Sequence, residues 1–218
     1  MKILTTLLNF VIIKAEQVGR GFAMKKLLIT GFEPFGGETI NPSWEAVSRL
    51  PDQIKEYVLT KILIPVEFGK AANAVLCKAE EISPDVILCI GQAGGRGAIT
   101  PELVAINLRY AKIPDNAGFQ PKDEPIISGG ACAYFSTLPV RRMAEAINEV
   151  EIASQVSYSA GAYVCNDLLY ALLAHFEGTQ TRVGFVHIPY AKEQGKEPSM
   201  ELSEMIRGLT VAIENIDT

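Results

Sequence analysis

Residues 57–91 read YVLTKILIPVEFGKAANAVLCKAEEISPDVILCIG, and three successive patterns in them decide the fold. YVLTKILI (57–64) is β-branched and alternating, the pattern of a strand. VEFGKAANAVLCKAEEI places Phe68, Ala72, Val75, Leu76 and Ala79 at the spacing that lines one face of a helix, which leaves Cys77 to packing or to the rim. DVILCIG (85–91) is apolar throughout, as a buried strand is, with Cys89 as core filling between Leu88 and Ile90. Strand, helix and strand in that order imply two parallel strands joined by a helical crossover.

The same alternation extends outward in both directions. KLLITG (26–31) is a compact apolar strand, and Ser43 is placed to cap a helix through WEAVSRL that ends before Pro51. ELVAINL (102–108) alternates as a further strand. Residues 110–132 are rich in Pro, Gly, Asp and Lys and read as a long loop bordering a functional site. LPVRRMAEAINEV is helical, VSYSAG carries a short strand, TRVGFVHI (181–188) is a strand, and PSMELSEMIRGLTVAIENI closes as a helix started by Pro198. The expected fold is α/β: a three-layer α/β/α sandwich around a mostly parallel twisted sheet, with its ligand crevice at the carboxyl ends of the strands.

The chain has 218 residues, 48% hydrophobic and 21% charged, which suits one domain with a full core. A net charge of −5 provides no basic surface for nucleic acid or acidic lipid. Four cysteines without a CxxC pair fit reduced thiols in the cytoplasm. With two histidines and no HExxH, neither a metal site nor a cofactor is expected. Residues 1–23 carry an apolar run from Ile3 to Ile13 that is too short to span a bilayer but has the length of a signal-peptide core. They read either as a weak signal or as leader ahead of a start at Met24; the second is preferred because MKKLLITG opens directly on a strand. The catalytic domain is then 24–218.

SAGAYVCNDLLYALLAHF (159–176) raises the question of chemistry. Val164, Leu168, Leu172 and Phe176 recur every four residues, so a helix starts near Val164 and puts Cys165 in its first turn. There the helix dipole and unpaired N–H groups favour a thiolate, although a cysteine packed as a small hydrophobe is the competing reading. A thiol nucleophile needs a base. His175 lies ten residues along the same helix, about 15 Å away along its axis, and cannot reach. His187 ends a strand, where catalytic groups gather, and is the base by elimination. Glu102, after the glycine loop GQAGGRGAITP, is the carboxylate best placed to orient it; Glu33, Asp115 and Asp167 compete, with Asp167 expected to face solvent because its charge would oppose a neighbouring thiolate. The loop's GxxGGxG spacing matches no nucleotide-binding motif.

Five ordered segments, TGFEPFGGETINPSWEAV (30–47), GQAGGRGAITPELVAIN (91–107), IPDNAGFQP (113–121), SAGAYVCN (159–166) and VGFVHIPY (183–190), together resemble the pyroglutamyl peptidase I (pyrrolidone carboxylate peptidase) family. The resemblance covers nearly everything from Met24 onward. It implies an α/β/α sandwich, a cytosolic and often tetrameric cysteine peptidase without metal or cofactor, and removal of N-terminal pyroglutamate from peptides. It also implies a triad of Glu102, Cys165 and His187, and a pocket for the lactam ring formed by Phe32, Phe35, Gln92, Tyr163 and Val164, with polar contacts from Asn41. Where the family commonly has arginine before IPDN this chain has Lys112, a seventh candidate for the substrate-binding residues that keeps the charge but not the planar fork, and Leu103 replaces another arginine. Two other functions remain open: a phosphorylase-like enzyme using the glycine loop for phosphate, and a pyroglutamyl-binding protein without catalysis.

Overall fold

The computed structural model describes residues 24–217; the expectations for residues 1–23 lie outside it. β1 (Lys25–Phe32), β3 (Tyr57–Ile64), β4 (Val86–Gln92) and β8 (Arg182–Ile188) run parallel in the centre of a six-stranded sheet. Two short antiparallel strands, β2 (Gln53–Ile54) and β5 (Thr100–Pro101), close its edges, in the order β2-β3-β1-β4-β8-β5.

Along β4 the side chains alternate between two cores. Val86, Leu88 and Ile90 enter one, with Met143 and Ile147 of α3 (Val140–Glu149), Met205 and Leu209 of α5 (Leu202–Glu214), and Ala46 and Val47 of α1 (Pro42–Arg49). Ile87 and Cys89 enter the other, with Ala72 and Val75 of α2 (Lys70–Ile82) and Leu168 and Leu172 of α4 (Val164–His175). An apolar run thus fills both faces of a parallel sheet, and helices cover each face. The expected three-layer sandwich is what forms, and Cys77 lies exposed at its rim. β1 and α1 approach so closely that a Cβ on Gly31 would lie 2.6 Å from Trp44 Cα.

Local chemistry redraws several expected boundaries. Asn41, not Ser43, caps α1: its side chain accepts from Ser43 N, and Pro42 takes the first helical position. Ser43 Oγ instead accepts from Phe32 N at 2.9 Å, tying the end of β1 to the helix. Of ELVAINL only β6 (Val104–Ile106) is a strand, and it pairs with β7 (Ala133–Phe135) in a small separate sheet. VSYSAG forms one isolated bridge, from Ser157 to Glu102, rather than a ladder strand. The last helix begins at Leu202 with Glu201 at its cap, after a short parallel pair of β9 (Tyr190–Ala191) and β10 (Ser199–Met200), so Pro198 does not start it. Among the described residues, no helix is long and apolar enough to cross a membrane.

Candidate active site

Cys165 is the second residue of α4, in its first turn as expected, and is half-buried. The helix rests this turn on Gly91 at the carboxyl end of β4. A Cβ built there would meet Cys165 Sγ at 3.1 Å and the Phe185 ring at 2.7 Å, so only glycine leaves room for the sulfur. His187 is the parallel register partner of Gly91. Register partners on adjacent strands point their side chains to the same face of the sheet. His187 therefore rises on the face that holds the thiol, one strand spacing away, with Phe185 two residues before it.

β5 supplies the carboxylate. Thr100 pairs with His187 and Pro101 with Val186, and Glu102 N donates to Phe185 O at 2.9 Å, which places the Glu102 side chain beside the imidazole. His187 Nδ1 lies 2.6 Å from Glu102 Oε1. Glu102 is fully buried and His187 is 4% exposed. An Nδ1–H donated to the carboxylate leaves Nε2 with a bare lone pair.

Arg96, to which the sequence assigns no role, completes this arrangement. Its Nη1 donates to Glu102 Oε1 at 2.6 Å and to Thr100 Oγ1 at 2.7 Å, and its Nη2 donates to Ser159 O at 3.0 Å. One guanidinium joins the glycine loop, the carboxylate and the loop leading to Cys165. The available signal was an arginine inside a glycine loop six residues before a candidate carboxylate.

Burial and partners set the proton affinities. Burial works against the charge on Glu102, but His187 and Arg96 outweigh it and hold the carboxyl below its usual range. Burial pulls His187 below the ordinary imidazole value, opposed by Glu102. Burial, with the charge of Glu102 adding to it, pushes the Cys165 thiol up to about 12. Desolvation thus opposes the thiolate that the helix terminus favours.

The competing carboxylates have other duties. Asp167 is fully buried rather than solvated, with Arg109 Nε at 2.5 Å and Gly69 N at 2.8 Å. Two residues along a helix turn the side chain by about 200°, which carries Asp167 away from Cys165 and toward the start of α2. Asp115 accepts from Phe68 N, Ala117 N and Phe119 N, and Glu33 from Val66 N and Asn116 Nδ2; both organise loops. His175 ends α4 against Phe176.

Beside Cys165 a narrow cavity is lined by Phe32, Phe35, Asn41, Val66, Gln92, Tyr163 and Val164. Six of the seven pocket residues expected from sequence meet there, and Val66 joins them. Phe35 and Tyr163 stand with ring centroids 6.3 Å apart, and Tyr163 OH donates to Pro114 O at 3.0 Å, fastening the long loop to a slot residue. Asn41 spends its oxygen on Ser43 and donates Nδ2 to Glu33 O. Lys112 is exposed and lies outside the lining.

Residues 25–218 match the family model of pyroglutamyl peptidase. The chain belongs to the pyroglutamyl peptidase family. It is 50% identical over 197 residues to a pyrrolidone-carboxylate peptidase of Levilactobacillus brevis, covering 88% of this chain and 97% of that one. The crystal structure of pyroglutamyl peptidase I from Bacillus amyloliquefaciens superposes with a TM-score of 0.84 at 44% identity, covering 88% of this chain and 96% of that one. Pyrrolidone carboxyl peptidase from Thermococcus litoralis gives 0.85 at 36% identity, with 88% and 93% covered. Membership in this pyroglutamyl peptidase family thus spans both the sandwich and the segments that carry Glu102, Cys165 and His187.

Proposed function

We propose that residues 24–218 form a single catalytic domain, a cysteine peptidase that removes an N-terminal pyroglutamyl residue from peptides. The observation that carries the reading is the His187 Nδ1 to Glu102 Oε1 bond of 2.6 Å on the sheet face that also bears Cys165, beside an apolar slot. The slot suits a small, flat, uncharged lactam and offers nothing to solvate a charged N-terminus.

Glu102 holds His187 with Nε2 free. As the substrate enters, Nε2 takes the Cys165 proton and Sγ attacks the scissile carbonyl carbon, forming the C–S bond while the carbonyl electron pair moves to oxygen. N–H groups that open α4 lack intrahelical partners and can stabilise that oxyanion. The oxyanion collapses, the C–N bond breaks, and His187 returns the proton to the leaving amine. Water, deprotonated by His187, then cleaves the thioester to release pyroglutamate and restore the thiol.

Lys112, exposed and cationic, is a candidate contact for the peptide beyond the slot, a role its charge supports. A homo-oligomer, most simply a tetramer of two-fold pairs, is supported by the exposed Phe135 and Tyr158; a monomer by light scattering at micromolar concentration would overturn it. Reduced, unpaired cysteines support a cytoplasmic location.

The decisive assay incubates the protein with a chromogenic pyroglutamyl amide, with and without iodoacetamide and with and without phosphate. Cleavage that is abolished by iodoacetamide and indifferent to phosphate is expected. A phosphate requirement would favour the phosphorylase reading, and binding without turnover the non-catalytic one.

A further inference from the structure

An amide side chain recognises different ligands according to which of its ends faces them. At Gln92 the oxygen is already taken, because Gln194 Nε2 donates to Gln92 Oε1 at 2.9 Å. The orientation of Gln194 is itself fixed from two sides. Its Oε1 accepts from Ala191 N at 3.0 Å, a backbone group that can only donate. Its Nε2 also donates to Glu38 Oε2 at 3.2 Å. Glu38 is held below the usual carboxylate range by Lys196 and then by Gln194, so it is ionised and can only accept. Turning Gln194 over would set N–H against N–H and oxygen against carboxylate. The polarity of a backbone amide therefore passes through Gln194 to Gln92, whose Nε2 remains a donor with no partner among the described residues.

We propose that Gln194 is a positioning residue for substrate recognition: it holds Gln92 with its amide N–H groups toward the slot, so that the slot selects a ring bearing a carbonyl acceptor. This rests on the reading of Gln92 as part of the slot for a lactam. Asn41 does not duplicate the function, since its Nδ2 donates to Glu33 O at 2.9 Å. The placement has an economical origin in the chain. The segment that carries the base at His187 continues through β9 into the 3-10 turn Lys192–Gln194, so the base and the group that orients the specificity residue are seven positions apart on one stretch of backbone. Glu38, in the loop between β1 and α1, links the same turn to the segment that bears Phe32 and Phe35.

The test compares the full chain with Gln194→Met, Gln194→Glu and Gln92→Met on a pyroglutamyl amide, measuring KM, kcat and the rate of Cys165 alkylation by iodoacetamide. Gln194→Met removes the orienting amide and should raise KM about 3- to 10-fold, the worth of one neutral hydrogen bond. Gln194→Glu should raise it further, because the introduced carboxylate draws the Gln92 N–H groups to itself and turns the Gln92 oxygen to the slot. In both, kcat and alkylation should stay within about twofold, a change too small to reflect a lost neutral hydrogen bond. Unchanged KM in both Gln194 variants, with KM raised in Gln92→Met, would overturn the role of Gln194 alone. Unchanged KM in Gln92→Met would remove Gln92 from the slot and overturn both. A parallel fall in kcat and alkylation would make Gln194 merely structural and defeat the proposal. No cleavage by the unaltered chain would defeat the functional reading and this proposal with it.

Discussion

Gly91 and His187 face each other across β4 and β8, and a side chain at Gly91 would meet the Phe185 ring at 2.7 Å and the Cys165 sulfur at 3.1 Å. Gly91→Ala should therefore lower kcat by about 10-fold or more, because the methyl group displaces the Phe185 ring, which packs against His187, and crowds the sulfur, where a 1 Å misplacement alone can cost about 10²-fold. Melting should change by much less than catalysis does, since the added methyl group meets side-chain atoms of Phe185 and Cys165 rather than backbone. Steady-state kinetics beside a thermal melt checks this; an active Gly91→Ala variant would show that the sulfur does not work from this position.

Cys165→Ser and His187→Ala should each lose activity by about 10²-fold or more while remaining folded. His175→Ala, at the far end of α4, should keep most activity. Glu102→Gln should be milder than loss of the nucleophile, because an orienting group acts through the imidazole. Circular dichroism and turnover on a pyroglutamyl amide decide the matter, and an inactive, folded His175→Ala beside an active His187→Ala would reassign the base.

The pH profile should carry the signature of Arg96. Activity requires unprotonated His187, and burial places its proton affinity below the ordinary 6.5, so the acid limb of kcat/KM should fall below that pH. The charge of Arg96 contributes to that lowering. Arg96→Met should then move the acid limb to higher pH and reduce kcat, by loosening Glu102. A limb that stays in place would mean that Arg96 braces the loops without influencing the imidazole.

Stability in acid should depend on Asp217. Burial opposes its charge, but Lys25, Tyr57 and Arg182 lower its carboxyl from 3.8 to about 2. Its folded value is depressed, so its stabilisation is present above 3.8 and lost as pH falls toward 2. Solvent screening limits the contribution to about 1 kcal/mol. Asp217→Asn should lower the melting temperature by a few degrees at pH 7 and by little at pH 2, measured by calorimetry at both.

The periodicities of residues 57–91 suffice for the architecture, because a strand buried on both faces and a helix with one apolar face each leave a local imprint. The start of α4 and the place of Cys165 in its first turn were equally legible. Caps were less so: Asn41, Pro42 and Ser43 all suit a helix start, and the choice of Asn41 follows from Ser43 Oγ being drawn to Phe32 N.

Asp167 and Arg96 mark where local reading ends. Adjacency in sequence suggested that Asp167 would burden the thiol, yet helical rotation and a distant arginine at 109 give it a buried partner. Arg96 lies in a loop whose spacing matches no motif, and its value appears only when Glu102, Thr100 and Ser159 converge on it. The state of Cys165 follows the same division. The helix terminus is a local feature and argues for a thiolate, while burial is a property of the assembled fold and raises the thiol to about 12. Residue types and periodicity are thus enough for the sheet, the helices and the candidate nucleophile, whose causes are local along the chain. Hydrogen-bond polarity at Gln92, the partners of each carboxylate and the proton's resting place depend on groups far apart in sequence, and only folding sets their distances and removes the water between them.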